Sequence, residues 1–129
     1  MRRLTAFACL LALGACAAQP AAPGPMQKFV VFFSEWSAGL DQPAVGVITA
    51  AAAAAKQMPN APVTVVGYAD PAGSSQANLY MSRTRAQVVT DQLVQDGVPA
   101  ALIRHAGRGP TDFTASSQES RRVEIDVGG

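Results

Sequence analysis

Few side chains in this 129-residue chain are suited to covalent or acid–base chemistry. There is one histidine, His105, and there are two cysteines, Cys9 and Cys16. Cys9 lies inside an apolar run at the start of the chain and Cys16 just after it; a leader cleaved with Cys9 and an acylated Cys16 would leave no Cys–His pair or metal-ligand cluster. His105 falls in a strand-like segment and reads as a partly buried strand residue. Residues 71–75 form a Gly/Ser loop before a helix, a place where phosphate could sit at a helix N-terminus. The loop lacks the Gly-Lys-Ser/Thr of a P-loop, and no GxGxxG occurs. What remains is charge. Asp70 stands before Pro71 and, on its own, reads as a turn aspartate. Arg85 lies within the following helix and reads as a solvated helix charge. The formal net charge is +1. Removing a leader that carries Arg2 and Arg3 makes it 1 − 2 = −1. No basic stripe survives, which argues against a nucleic-acid partner.

The N-terminus reads as an export signal, residues 1–15. Arg2 and Arg3 form a basic n-region, and residues 4–13 form an apolar h-region. A membrane-spanning helix needs about 20 residues, so this segment is too short to remain as an anchor. Leu13-Gly14-Ala15-Cys16 then resembles the bacterial lipobox. That resemblance implies cleavage before Cys16 and acylation of its sulfur and new amine, with two or three chains giving durable membrane attachment. Loss of Cys9 with the leader leaves no intramolecular disulfide. Residues 16–27, rich in Ala and containing Pro20, Pro23 and Pro25, read as an extended tether with a reach of roughly 30 Å.

The elements that must position Asp70 and Arg85 follow. Residues 29–33 are continuously apolar and predict a central strand covered on both faces. Asp41 can cap a helix with Pro43 in its first turn. Val45, Ile48, Ala52 and Ala55 supply its apolar stripe, and Pro59 ends it. Residues 63–66 predict a second strand, terminating at Gly67-Tyr68-Ala69-Asp70. Ser74 or Ser75 caps a long helix that stops before Gly97. Its inner face carries Leu79, Ser82, Ala86, Val89 and Leu93. Residues 102–106 predict a third strand, followed by a turn at Gly107-Arg108-Gly109-Pro110 and a polar loop. In the last strand Val123, Ile125 and Val127 face the core, while Arg122, Glu124 and Asp126 face solvent. The order βαβαββ describes an α+β two-layer sandwich, with helices on one side of a small mixed sheet.

Four segments, in order, resemble the OmpA-like peptidoglycan-binding family, which includes the peptidoglycan-associated lipoproteins. They are Val31-Phe32-Phe33 with Ser37-Ala38-Gly39-Leu40, then Gly67-Tyr68-Ala69-Asp70 with Gly73. The third is Leu79-Tyr80-Met81-Ser82-Arg83-Thr84-Arg85-Ala86, and the fourth Arg121-Arg122-Val123-Glu124-Ile125. The resemblance runs from about Phe29 to Val127, within a domain of residues 28–129, and implies non-covalent binding of the peptidoglycan stem peptide, chiefly meso-diaminopimelate, without catalysis and without a cofactor or metal.

The side-chain end of diaminopimelate carries an ammonium and a carboxylate, so recognition needs one fixed anion and one fixed cation. The resemblance assigns these to Asp70 and Arg85, whose planar fork suits a carboxylate. Arg85 lies about 15 Å along the helix axis from Ser75. The two therefore share a ligand only if the loop and first helical turns overhang the strand end. Asn78, Leu79, Ser34 and Arg121 are secondary candidates. Arg121 shares the apolar face of the last strand and there calls for a structural ion pair. The chain departs from the family's Gly-His-Thr-Asp-x-x-Gly at Tyr68 and Ala69, from its Asp after the first strand at Ser34, and from its Asn at Ser120.

An outer-membrane location with the domain in the periplasm follows from Ala17 after the acylated cysteine, as the resemblance implies. The competing expectation is an interaction module of an envelope complex that kept the fold and lost wall binding.

Overall fold

Strict alternation in the last strand sets the sheet. A computed structural model of the protein describes residues 25–111 and 116–128. The expected signal, the lipobox with Cys16 and the tether up to residue 24 lie outside the described residues. The elements are β1 (Gln27–Phe32), α1 (Gln42–Gln57), β2 (Val63–Ala69), α2 (Ser75–Gln95), a short 3-10 turn (Ala100–Leu102), β3 (Ile103–Pro110), α3 (Ser117–Ser120) and β4 (Arg122–Val127). The sheet order is β1-β4-β2-β3. β4 pairs antiparallel with both β1 and β2, and β3 lies parallel to β2. This is the expected α+β architecture with a mixed sheet. Val123, Ile125 and Val127 pack with Val63 and Val65, Val31, and the helix residues Ile48, Ala51, Ala52, Ala86, Val89 and Leu93 to form the core.

Five expectations are corrected. β1 is an edge strand, paired only with β4. Its outward Phe32 is 43% exposed, so a run apolar on both faces does not require cover on both faces. β1 also begins at Gln27, inside the stretch expected to be tether. In α1 the buried stripe is Ala44, Ile48, Ala51 and Ala52, and Val45 is turned outward. Small alanines let that face approach the sheet closely, and this decides the rotation over a larger β-branched side chain. β2 and β3 run on through Gly67 and through the Gly107–Pro110 stretch expected to turn. The glycines serve helix packing there. A Cβ on Gly67 would lie 2.0 Å from the Ser82 carbonyl oxygen, and one on Gly107 would lie 2.4 Å from the Arg83 nitrogen. Finally, residues 117–120, expected within a loop, form the short helix α3, with the Ser116 hydroxyl accepting from Glu119 N–H.

The helix caps match the sequence. Asp41 Oδ1 accepts from Ala44 N–H at 2.8 Å, and Ser74 Oγ accepts from Ala77 N–H at 3.3 Å. Gly97 takes a left-handed φ of +99° just past the end of α2. Among the described residues no helix is long and apolar enough to cross a membrane.

Candidate functional site

Asp70 follows β2 directly, and Arg121 precedes β4 directly, so the antiparallel pairing of these strands brings both to one end of the sheet. Arg121 Nη1 lies 3.4 Å from Asp70 Oδ2, with the two side chains 16% and 21% exposed. Arg121 also grips β1: its Nε donates to the Phe33 carbonyl at 3.1 Å, and Phe33 N–H donates to the Arg121 carbonyl at 2.8 Å. The ion pair expected of Arg121 is therefore present, and its partner is Asp70.

Arg85 reaches the same end from α2. Its Nη1 donates to the Tyr68 carbonyl, two residues before Asp70, at 3.3 Å. Nε donates to the Ser37 carbonyl at 2.9 Å and Nη2 to the Ser34 carbonyl at 3.2 Å. The guanidinium carbon sits 5.3 Å from the centre of the Phe33 ring. Arg85 is only 1% exposed, which corrects its reading from the residues alone as a solvated charge. Burial lowers its pKa from the ordinary value. The nearby Arg121 charge adds to this, and Asp70 works in the opposite sense. A guanidinium still keeps its proton under physiological conditions. Asp70, Arg121 and Arg85 thus form one electrostatic cluster.

The secondary candidates hold the loops around it. Asn78 is buried, and its Nδ2 donates to the Ala72 carbonyl at 2.7 Å, pinning the turn after Asp70. Leu79 is half-buried and lies against Gly109. Ser34 is exposed, and its carbonyl accepts from both Arg85 and Ser37 N–H.

Three further arrangements escaped sequence reasoning. Arg122, expected in solvent, is buried with its guanidinium 4.1 Å from the Tyr68 ring centre. Arg122 Nε also lies 3.2 Å from Glu124 Oε1. Glu124 and Asp126 are half-buried and lie 3.6 and 3.7 Å from Lys28 Nζ. The buried Ser82 hydroxyl accepts from Gly109 N–H at 2.8 Å and donates to the Leu79 carbonyl at 2.7 Å, joining α2 to β3. His105, expected partly buried, is exposed at the β3 edge. It lines an open groove of about 600 Å³ with Arg83, Thr84 and Gln87, away from the Asp70 cluster. Among the described residues no group of three His, Cys, Asp or Glu side chains could hold a metal ion.

The sequence pattern of the OmpA family matches residues 32–125, which contain the whole cluster. The chain belongs to the OmpA family. Among relatives of this family member, a probable lipoprotein, YiaD, of Escherichia coli is 36% identical over 103 residues, covering 75% of this chain and 47% of the relative. The peptidoglycan-binding protein ArfA of Mycobacterium bovis is 40% identical over 78 residues, covering 56% of this chain and 24% of the relative. This OmpA-family chain spans less than half the length of these relatives. In three dimensions it resembles the OmpA-like domain of FopA1 from Francisella tularensis, with a TM-score of 0.71 at 25% identity over 79% of this chain and 71% of that one. The peptidoglycan-associated lipoprotein from Burkholderia pseudomallei shares the fold, with a TM-score of 0.70 at 23% identity over 77% and 89% of the two chains.

Proposed function

We propose that this OmpA-family protein binds the peptidoglycan stem peptide non-covalently, with no catalytic step, and as a Cys16-acylated lipoprotein tethers the outer membrane to the wall from the periplasmic side. The observation that carries this reading is the convergence of Asp70, Arg121 and Arg85 at one end of the sheet. The peptidoglycan-binding name of one relative and the lipoprotein name of another support it.

The chemistry suits a zwitterion such as the side-chain end of meso-diaminopimelate. Asp70 takes the ammonium. The carboxylate meets Arg121, the more open cation. The bonds to Ser34, Ser37 and Tyr68 engage three of the five guanidinium donors of Arg85. The 34–37 turn and the end of β2 cover Arg85, so the carboxylate bonds to Arg121 at the rim and Arg85 acts on it through its charge. Asn78 and Leu79 hold the rim from α2.

Co-sedimentation with purified sacculi tests the reading. The protein pellets with sacculi, free diaminopimelate releases it, and Asp70→Asn leaves it in the supernatant. A native protein that stays in the supernatant overturns the proposal. That outcome favours the second reading, a module of an envelope complex without wall binding. The covered state of Arg85 and the turning of Tyr68 onto Arg122 speak for it.

A further inference from the structure

The loop between β1 and α1 contains an exposed tryptophan that the charge cluster does not use. Trp36 is 66% exposed and adopts a φ of +53°. A bulky residue rarely takes this left-handed conformation, and it persists only where the surroundings impose it. The constraint here is visible. Ser37 N–H donates to the Ser34 carbonyl at 3.2 Å, closing a tight turn with Trp36 inside it. The buried Arg85 then holds the carbonyls on both sides of Trp36, Ser34 O and Ser37 O. The core thus fixes a turn whose outcome is a large apolar ring held in water.

The ring has a definite place. A Cβ built on Gly73 would lie 3.8 Å from Trp36 Cη2, so the indole leans over the backbone of the loop that follows Asp70. Gly73 is three residues beyond Asp70, a chain reach of at most about 11 Å.

We infer that Trp36 is a stacking platform for a pyranose ring of the glycan strand, placed so that a sugar and its attached stem peptide engage the protein together. The inference rests on the stem-peptide reading above. An indole face carries partial negative charge, and the axial C–H groups of a pyranose present a flat, weakly positive, apolar face to it. The lengths agree. In the stem, diaminopimelate is the third residue from the sugar, about 10 Å along an extended peptide. A ligand anchored at Asp70 therefore carries its sugar to the neighbourhood of Gly73 and Trp36. The platform adds selectivity for sugar-bearing wall fragments over free peptide.

Trp36 is the single tryptophan of the chain, so its emission reports on this position alone. The test titrates the protein with two soluble probes: N-acetylmuramyl tripeptide ending in meso-diaminopimelate, and the same tripeptide without sugar. The sugar-bearing probe should bind about tenfold more tightly, the effect of burying one small apolar sugar face, and should shift Trp36 emission, while the bare tripeptide leaves the emission unchanged. Trp36→Ala and Trp36→Gly should abolish the tenfold difference and leave tripeptide affinity unaltered. The glycine variant relieves the left-handed backbone, so strain cannot account for its loss. Trp36→Phe should restore part of the difference. Equal binding of the two probes to the native protein, or a difference that survives in Trp36→Gly, overturns the platform and leaves stem-peptide binding standing. Failure of both probes to bind overturns both readings together.

Discussion

Asp70 and Arg121 meet at 3.4 Å across the end of the sheet, and through this contact the acid that ends one strand is held by the base that begins another. The pair lies in a partly solvated rim. Asp70→Asn should therefore lower folding stability by only about 1 kcal/mol, measured by urea denaturation. The same substitution should weaken binding to sacculi at least tenfold, because a neutral amide cannot balance a ligand ammonium. If binding survives while Asp70 is gone, the assignment of the anion is wrong.

Arg85 plays a different part. Its three bonds fasten α2 to the 34–37 loop and to the end of β2. In Arg85→Lys a single ammonium replaces a planar fork and leaves carbonyls without donors, with an expected loss of about 2–3 kcal/mol. Hydrogen exchange at the Ser37 amide should quicken with it. Unchanged stability would mean the fork is not a structural clamp. The lowered pKa has a definite sign. In the alkaline range above the folded value, the unfolded chain holds this proton more tightly than the folded chain does. The burial cost is therefore full below the folded value and is relieved only as pH rises through it. Across physiological pH both states keep the Arg85 proton, so this group should give wild type no pH dependence of stability there.

Two glycine substitutions should move stability in opposite directions. Gly67→Ala drives a methyl group into the Ser82 carbonyl, with a Cβ–O distance of 2.0 Å. It should cost about 3 kcal/mol by forcing α2 off the sheet. Gly46 is exposed within α1, and a Cβ there meets nothing within 4 Å. Gly46→Ala should stabilise by about 0.5–1 kcal/mol through helix propensity and a less flexible unfolded chain. Thermal denaturation of the two variants beside wild type checks both signs.

Ser82→Ala removes the acceptor for Gly109 N–H inside the α2–β3 contact. A buried donor left without a partner costs about 1–3 kcal/mol. Urea midpoints should fall accordingly. A neutral result would mean water or a neighbouring carbonyl replaces the hydroxyl.

Sequence alone determined what depends on neighbours along the chain. Asp41 and Ser74 mark the helix starts and Gly97 a helix end, because caps are local hydrogen-bonding and φ requirements. The alternation of Val123, Ile125 and Val127 marks the buried face of β4, because a strand has a period of two. The order of elements and the family likeness follow from the same local signals. Tertiary structure decided what depends on partners brought from far away. β1 became an edge strand through pairing with β4 alone, which no feature of residues 29–33 records. Gly67 and Gly107 stayed in strands because α2 needs the space a side chain would fill, although locally they read as turns. Arg85 and Arg122 became buried cations because carbonyls and an aromatic ring, distant in sequence, replace their water. Asp70 and Arg85 were legible as candidates from motif position. That Arg121 holds Asp70, and that Arg85 holds both sides of the Trp36 turn, required the sheet to close, since each contact joins residues about 50 positions apart.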